Sequence, residues 1–135
     1  MKYTVDDIDI YIMTHNRADY LMLSIESLLN QSAGVSKITV LDNESTDNTL
    51  SAVERFSSRG VRYIRTKGFL GNFKKAQEIA SGKYVMLFHD DDILHPLYLE
   101  LALQVLNEKD DISLITTRYT EFFDDDFLSL FNFFI

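Results

Sequence analysis

The chain contains no cysteine. Disulfides, thiolate metal sites and cysteine nucleophiles are therefore excluded. It has a single proline, Pro96, and no internal repeat or low-complexity linker that would mark a boundary between two folded domains. Nowhere do about eighteen apolar residues run together, so no stretch reads as a membrane-spanning helix. Asp6, Asp7 and Asp9 interrupt the N-terminus before any apolar run forms, unlike a secretory signal peptide. The expected compartment is the cytoplasm, including the inner face of a membrane. Without secretion, the sequons Asn30-Gln31-Ser32 and Asn43-Glu44-Ser45 carry no weight. Positive charge is scarce as well: 13 Lys and Arg against 21 Asp and Glu give a formal −8. Phosphate backbones need a basic surface, so a nucleic-acid partner is not expected.

What remains is an ordinary globular composition over 135 residues, enough for one domain with a real core. Hydrophobic periodicity gives an alternating series. Ile8 to Thr14 reads as a buried strand, and Leu21, Ile25, Leu28 and Leu29 follow helical spacing behind a cap at Asn16 or Asp19. Lys37 to Leu41 forms a second strand ending in Asp42. Thr46 or Asp47 then caps a helix with Leu50, Val53 and Phe56 on one face. Gly60 precedes a third strand, Val61 to Arg65. A helix carrying Phe73, Ala76 and Ala80 follows and ends by Gly82. Tyr84 to Phe88 is a fourth strand. After Pro96 come a helix with Tyr98, Leu101, Ala102 and Val105 facing the core, and a fifth strand over Ile112 to Thr116. Such alternation predicts an α/β fold, a mostly parallel sheet with helices on both faces. The expected domain covers 1–118. Residues 119–135 stand apart as a tail with six of the ten phenylalanines around Asp124, Asp125 and Asp126, a surface suited to an oligomer or membrane contact, or the start of a truncated acceptor region.

In open α/β sheets ligands bind beyond the carboxyl ends of the strands. Three polar clusters fall there: Thr14-His15-Asn16-Arg17, Asp42 to Thr49, and His89-Asp90-Asp91-Asp92. Two carboxylates about 4 Å apart repel by roughly 4 kcal/mol at an effective dielectric of about 20. Three in a row after a buried strand call for solvent, protonation or a cation, and Mg²⁺ or Mn²⁺ suits their oxygens. A solvated turn capping the next helix is the plainer alternative. Capping chemistry likewise accounts for much of the Asp42 to Thr49 run. The stretch from Arg55 to Lys83 holds eight basic residues and one acid, a local +7 that would attract a diphosphate or an anionic surface, or simply face water.

Taken together, Ile12 to Arg17, Val40 to Thr49, Gly68-Phe69-Leu70-Gly71-Asn72 and Ser81 to Leu94 resemble the nucleotide-binding half of family 2 glycosyltransferases with the Rossmann-like GT-A fold. The resemblance runs from about Ile8 to Leu106. It implies a nucleotide-sugar donor, often a UDP-sugar, a divalent Mn²⁺ or Mg²⁺, and a carbohydrate or lipid-linked acceptor. By position it implies that Thr14, His15, Asn16, Arg17, Asp42, Asn72 and Asp90 contact the donor. Asp42 would recognise the base and Asp90 the ribose or donor, while Asp91 and Asp92 would hold the metal. His89 stands where many relatives carry the first aspartate of the acidic motif, and His15 where an aromatic residue is frequent. Inverting transfer needs a carboxylate base, and none is assigned here because that part of such enzymes follows the fifth strand. A donor-binding fragment without transfer is therefore the alternative. A phospho-acceptor receiver domain shares the length and the alternation. It would place acids after strand one and the phosphorylated aspartate after strand three, where Thr14-His15-Asn16 and Arg65-Thr66-Lys67 stand instead.

Overall fold

The computed structural model describes residues 1–68, 70–109 and 111–121. Four strands form one sheet: β1 (Ile8–Thr14), β2 (Lys37–Asn43), β3 (Val61–Thr66) and β4 (Tyr84–His89). Their order across the sheet is β3-β2-β1-β4, and every pairing is parallel. The helices are α1 (Ala18–Leu29), α2 (Thr49–Glu54), α3 (Gly71–Ile79) and α4 (Tyr98–Glu108). The expected α/β sheet with helices on both faces is what forms.

β1 lies between β2 and β4, and all seven of its residues are buried. Its even positions Ile8, Ile10 and Ile12 pack with Leu21, Ile25 and Leu28 of α1, Val53 of α2 and Leu99 and Leu103 of α4. The opposite face is thinner: Tyr11 and Leu41 meet Ala76 of α3, with Ile64 and Ile79 against them. Because α3 sits over β2 and β3, Val85 and Leu87 on that face of β4 stay nearly half exposed.

A polar knot closes the amino end of the sheet. Asp9 is buried, and its Oδ2 accepts from the Ser81 amide at 2.6 Å and the Gly82 amide at 2.7 Å. Its Oδ1 faces Lys37 Nζ at 3.1 Å. Burial alone would raise the carboxyl's pKa, yet the two amides and the ammonium together hold it below the usual range. Gly82 is required here for space, since a Cβ would meet Asp7 O at 2.8 Å.

Several expectations are corrected. Described residues of the Ile112 to Thr116 stretch form no strand. A β-branched run becomes a strand only with a ladder partner, and its one recorded tie to β4 is the Tyr84 hydroxyl donating to Ile112 O at 3.2 Å. α4 is rotated from the expected face: Leu99, Leu103 and Leu106 are buried, while Leu101 and Val105 face outward. Polar bonds set that rotation. The Leu99 amide donates to Gln31 Oε1 at 3.0 Å, and Asn107 bonds both backbone groups of Tyr3. On α2, Val53 is buried but Leu50 is exposed, and the buried Phe56 falls beyond the helix, which ends at Glu54. The helix caps come from across the fold. Neither Asn16 nor Asp19 caps α1; Asp47 Oδ2 accepts from the Ala18 amide at 3.2 Å, while its Oδ1 accepts from the Thr49 amide starting α2. Residues 122–135, most of the aromatic tail with Asp124 to Asp126, lie outside the described residues.

Candidate functional site

Parallel pairing puts all four strand ends on one edge. Thr14 stands opposite Asp42, and Met13 opposite His89, so the three polar clusters converge as expected. Asn72, in the first turn of α3, joins them from the β3 side, where the Thr66 hydroxyl donates to its Oδ1 and lies 3.2 Å from Asp42 O.

The loops after β1 and β2 are laced together. His15 Nδ1 donates to Asn43 O at 2.6 Å, and because a carbonyl only accepts, this nitrogen carries the proton. Its Nε2 then accepts from the Asn16 amide group at 3.2 Å. Asn16 adopts φ 52°, a left-handed conformation asparagine tolerates, and its Oδ1 accepts from the Thr46 amide at 2.7 Å. Its own amide donates to Ser45 Oγ at 2.8 Å.

Asp42 is almost wholly buried, at 1% exposure. Oδ1 accepts from the Ser45 amide at 3.0 Å and from the Ser45 hydroxyl. Oδ2 accepts from the Tyr63 hydroxyl at 2.5 Å, with Arg65 Nη1 at 3.8 Å. Burial and the Asp42 carboxylate together raise the Tyr63 phenol's pKa. Both carboxylate oxygens are thus engaged by the chain's own donors.

The acidic turn follows β4. Asp90 is 4% exposed, whereas Asp91 and Asp92 are open to solvent. Arg17 Nη1 lies 2.6 Å from Asp91 Oδ2 and 3.3 Å from Asp90 Oδ1. Asp90 and Asp91 in turn raise the Arg17 pKa. Burial pushes the Asp90 carboxyl up, opposed by the Thr14 hydroxyl and Arg17 and reinforced by Asp91. Thr14 Oγ1 is buried with no hydrogen-bond partner of ordinary geometry. Desolvation and then the Asp91 charge raise Asp92.

The family model described as glycosyl transferase family 2 matches residues 9–132. The chain belongs to this family. A chondroitin synthase of Escherichia coli is 31% identical over 111 residues, covering 79% of the chain and 16% of the synthase. The Staphylococcus aureus TarS 1–349 structure in complex with UDP superposes with a TM-score of 0.64 at 19% identity, covering 85% of this chain and 40% of that one. The Pyrobaculum calidifontis mannosyltransferase PcManGT, in complex with GDP-Man and Mn²⁺, gives 0.63 at 23% identity, covering 76% and 32%. These likenesses show the GT-A fold. The chain spans well under half the length of each.

The carboxylates suit a hard divalent ion, and Asp91 and Asp92 are accessible to one. Among the described residues, however, no three His, Asp or Glu side chains already converge on one point, and Arg17 stands between Asp90 and Asp91. Beside Asp42, an open cleft is lined by Arg65, Lys67, Lys74 and Lys75 together with Glu44 and Glu78. It gathers part of the basic stretch at the strand ends but does not reach the acidic turn. No described helix is long and apolar enough to cross a membrane.

Three residues escaped the sequence reading: Ser24, Ser27 and Gln31. Ser24 and Ser27 are buried on α1, and Gln31 is buried just beyond its end. Ser24 Oγ lies 2.8 Å from Asp90 O and 2.6 Å from Asp92 O, so the helix grips the backbone of the acidic turn. The Leu94 amide donates to Ser27 Oγ at 3.1 Å, and Gln31 Nε2 donates to His95 O at 2.8 Å. Their signal is the spacing: small polar residues at i, i+3 and i+7 amid Leu21, Ile25 and Leu28 point inward. Ser24→Ala should lower stability by about 1–2 kcal/mol, because its carbonyl partners lose a buried donor. A thermal melt reads that loss, and an unchanged midpoint would show that the turn holds without Ser24.

Proposed function

We propose that residues 1–118 form the donor-binding part of a transferase that moves a sugar from a nucleotide-sugar, with a UDP-sugar favoured, to a hydroxyl of a carbohydrate or lipid-linked acceptor. The observation that carries this reading is the meeting of the acidic turn, Arg17 and the laced β1 and β2 loops at one sheet edge, in a chain of glycosyl transferase family 2. UDP in the TarS complex and GDP-Man with Mn²⁺ in PcManGT support a nucleoside diphosphate donor.

In the reaction the acceptor oxygen forms a bond to the anomeric carbon as that carbon's bond to the diphosphate breaks. The acceptor proton passes to a base, and attack opposite the leaving group inverts the centre. A divalent ion on Asp91 and Asp92 would stabilise charge on the departing diphosphate. Thr14, His15, Asn16 and Arg17 wall the donor from the β1 side. Asn72 fixes the β3 side through Thr66. Asp90 would meet the ribose. Asp42 recognises the base by giving up the Tyr63 hydroxyl, and otherwise sets the β2 turn through Ser45.

Calorimetric titration of UDP and GDP, with and without Mn²⁺, tests the reading. Binding that strengthens with Mn²⁺ supports it. No binding of either nucleotide at millimolar concentration would overturn it. Nucleotide binding without sugar transfer from a UDP-sugar favours the donor-binding-fragment alternative.

A further inference from the structure

Arg17 has an unusual position for a donor contact. Its guanidinium does not reach toward open space but lies on Asp90 Oδ1 and Asp91 Oδ2, two carboxylates of the acidic turn. Arg17 occupies the residue position just before α1, and Ser24, two turns along the same helix, holds the carbonyls of Asp90 and Asp92. The helix therefore presents both the clamp on the turn's backbone and the counter-charge for its side chains. Asp90 and Asp91 share Arg17 as their recorded ion-pair partner, and the half-exposed Arg17 can swing away at modest cost.

We propose that Arg17 is the acidic turn's own counter-cation and competes with a divalent metal ion for Asp91. The inference rests on the reading of the turn as a metal site. Until a metal arrives, the guanidinium offsets repulsion among the carboxylates and keeps the turn in shape. A metal binding at Asp91 must release Arg17, and a nucleoside diphosphate then offers the freed guanidinium a new anionic partner. Metal and nucleotide binding are coupled as a result, each favouring the other by the same factor.

The test is titration of the intact 135-residue chain with Mn²⁺ alone, read by electron paramagnetic resonance of the free ion. Arg17→Gln should bind Mn²⁺ about fivefold more tightly than the natural protein, the scale expected for losing a partly exposed ion pair. Arg55→Gln removes an equal charge from a residue whose recorded contact is Met22, and should leave Mn²⁺ affinity unchanged. The same titrations with UDP present should show UDP raising Mn²⁺ affinity less in Arg17→Gln than in the natural chain. Equal or weaker Mn²⁺ binding by a folded Arg17→Gln variant overturns the competition while the donor-site reading stands on its UDP titration. An equal gain in Arg55→Gln also overturns it, because general charge then explains the effect. If neither protein binds Mn²⁺ even with UDP, both the competition and the metal reading of the turn fall.

Discussion

Asp91→Ala is expected to weaken Mn²⁺-dependent UDP binding by about 100-fold, and to leave metal-free UDP binding nearly unchanged. The reason is positional. Asp90 is almost wholly buried and carries a raised pKa from desolvation, so it is poorly placed to replace its neighbour as an exposed anionic ligand. Asp92 is exposed, but Asp91 is the carboxylate at the tip of the turn that already attracts a cation, at 2.6 Å from Arg17. Removing Asp91 takes away the favoured oxygen and leaves Arg17 on Asp90 alone. Calorimetry in matched buffers with Mn²⁺ and with a chelator separates the two arms. Equal affinity of both proteins in Mn²⁺ would show that the acidic turn holds no metal that matters to the nucleotide.

The second large effect concerns stability at the far end of the sheet. Asp9→Ala should destabilise the domain by about 3 kcal/mol, lowering the melting temperature by roughly 10 °C. The loss has two sources. The amides of Ser81 and Gly82, at 2.6 and 2.7 Å from Oδ2, would be left without their acceptor where the α3–β4 connection packs on β1. Lys37 would lose its partner at 3.1 Å, though its own exposure keeps that part of the cost small. The pH dependence has a definite sign. Asp9's pKa is lowered on folding, so its contribution is complete above the unfolded carboxylate value, about 3.9, and fades as pH falls through the folded value. The melting difference between natural protein and Asp9→Ala should therefore be constant from neutral pH to about 5 and shrink below about 4. A constant difference down to pH 2 would mean that Asp9 acts through packing rather than charge.

The sequence reading of the fold held where one face or both faces of an element are apolar by simple count. β1 was legible because Ile8 to Met13 is apolar at nearly every position, which only a doubly covered strand tolerates. α1 was legible because Leu21, Ile25 and Leu28 share one face. α4 was misread because it carries two apolar stripes two residues apart. Periodicity does not choose between Leu101 with Val105 and Leu99 with Leu103; the Gln31 and Asn107 bonds do. The Ile112 to Thr116 run failed for a related reason, since strand propensity says nothing about whether a neighbouring edge is in reach.

By itself the sequence determined the order of strands and helices, the placing of its polar clusters after strands, and the family, because these follow from local periodicity and from motifs in fixed order. Tertiary structure alone decided what those polar groups do to one another. Asp42 looks available in sequence, yet in the fold Ser45 and Tyr63 occupy its oxygens. Arg17 and Asp91 lie 74 residues apart and become an ion pair because β1 and β4 are parallel neighbours, so their ends must meet. The scarcity of positive charge noted from composition thus takes a local form: at the acidic turn one arginine is shared by two carboxylates, Asp90 and Asp91. Long-range pairing of charges depends on strand order, and strand order is written only in how the whole chain packs.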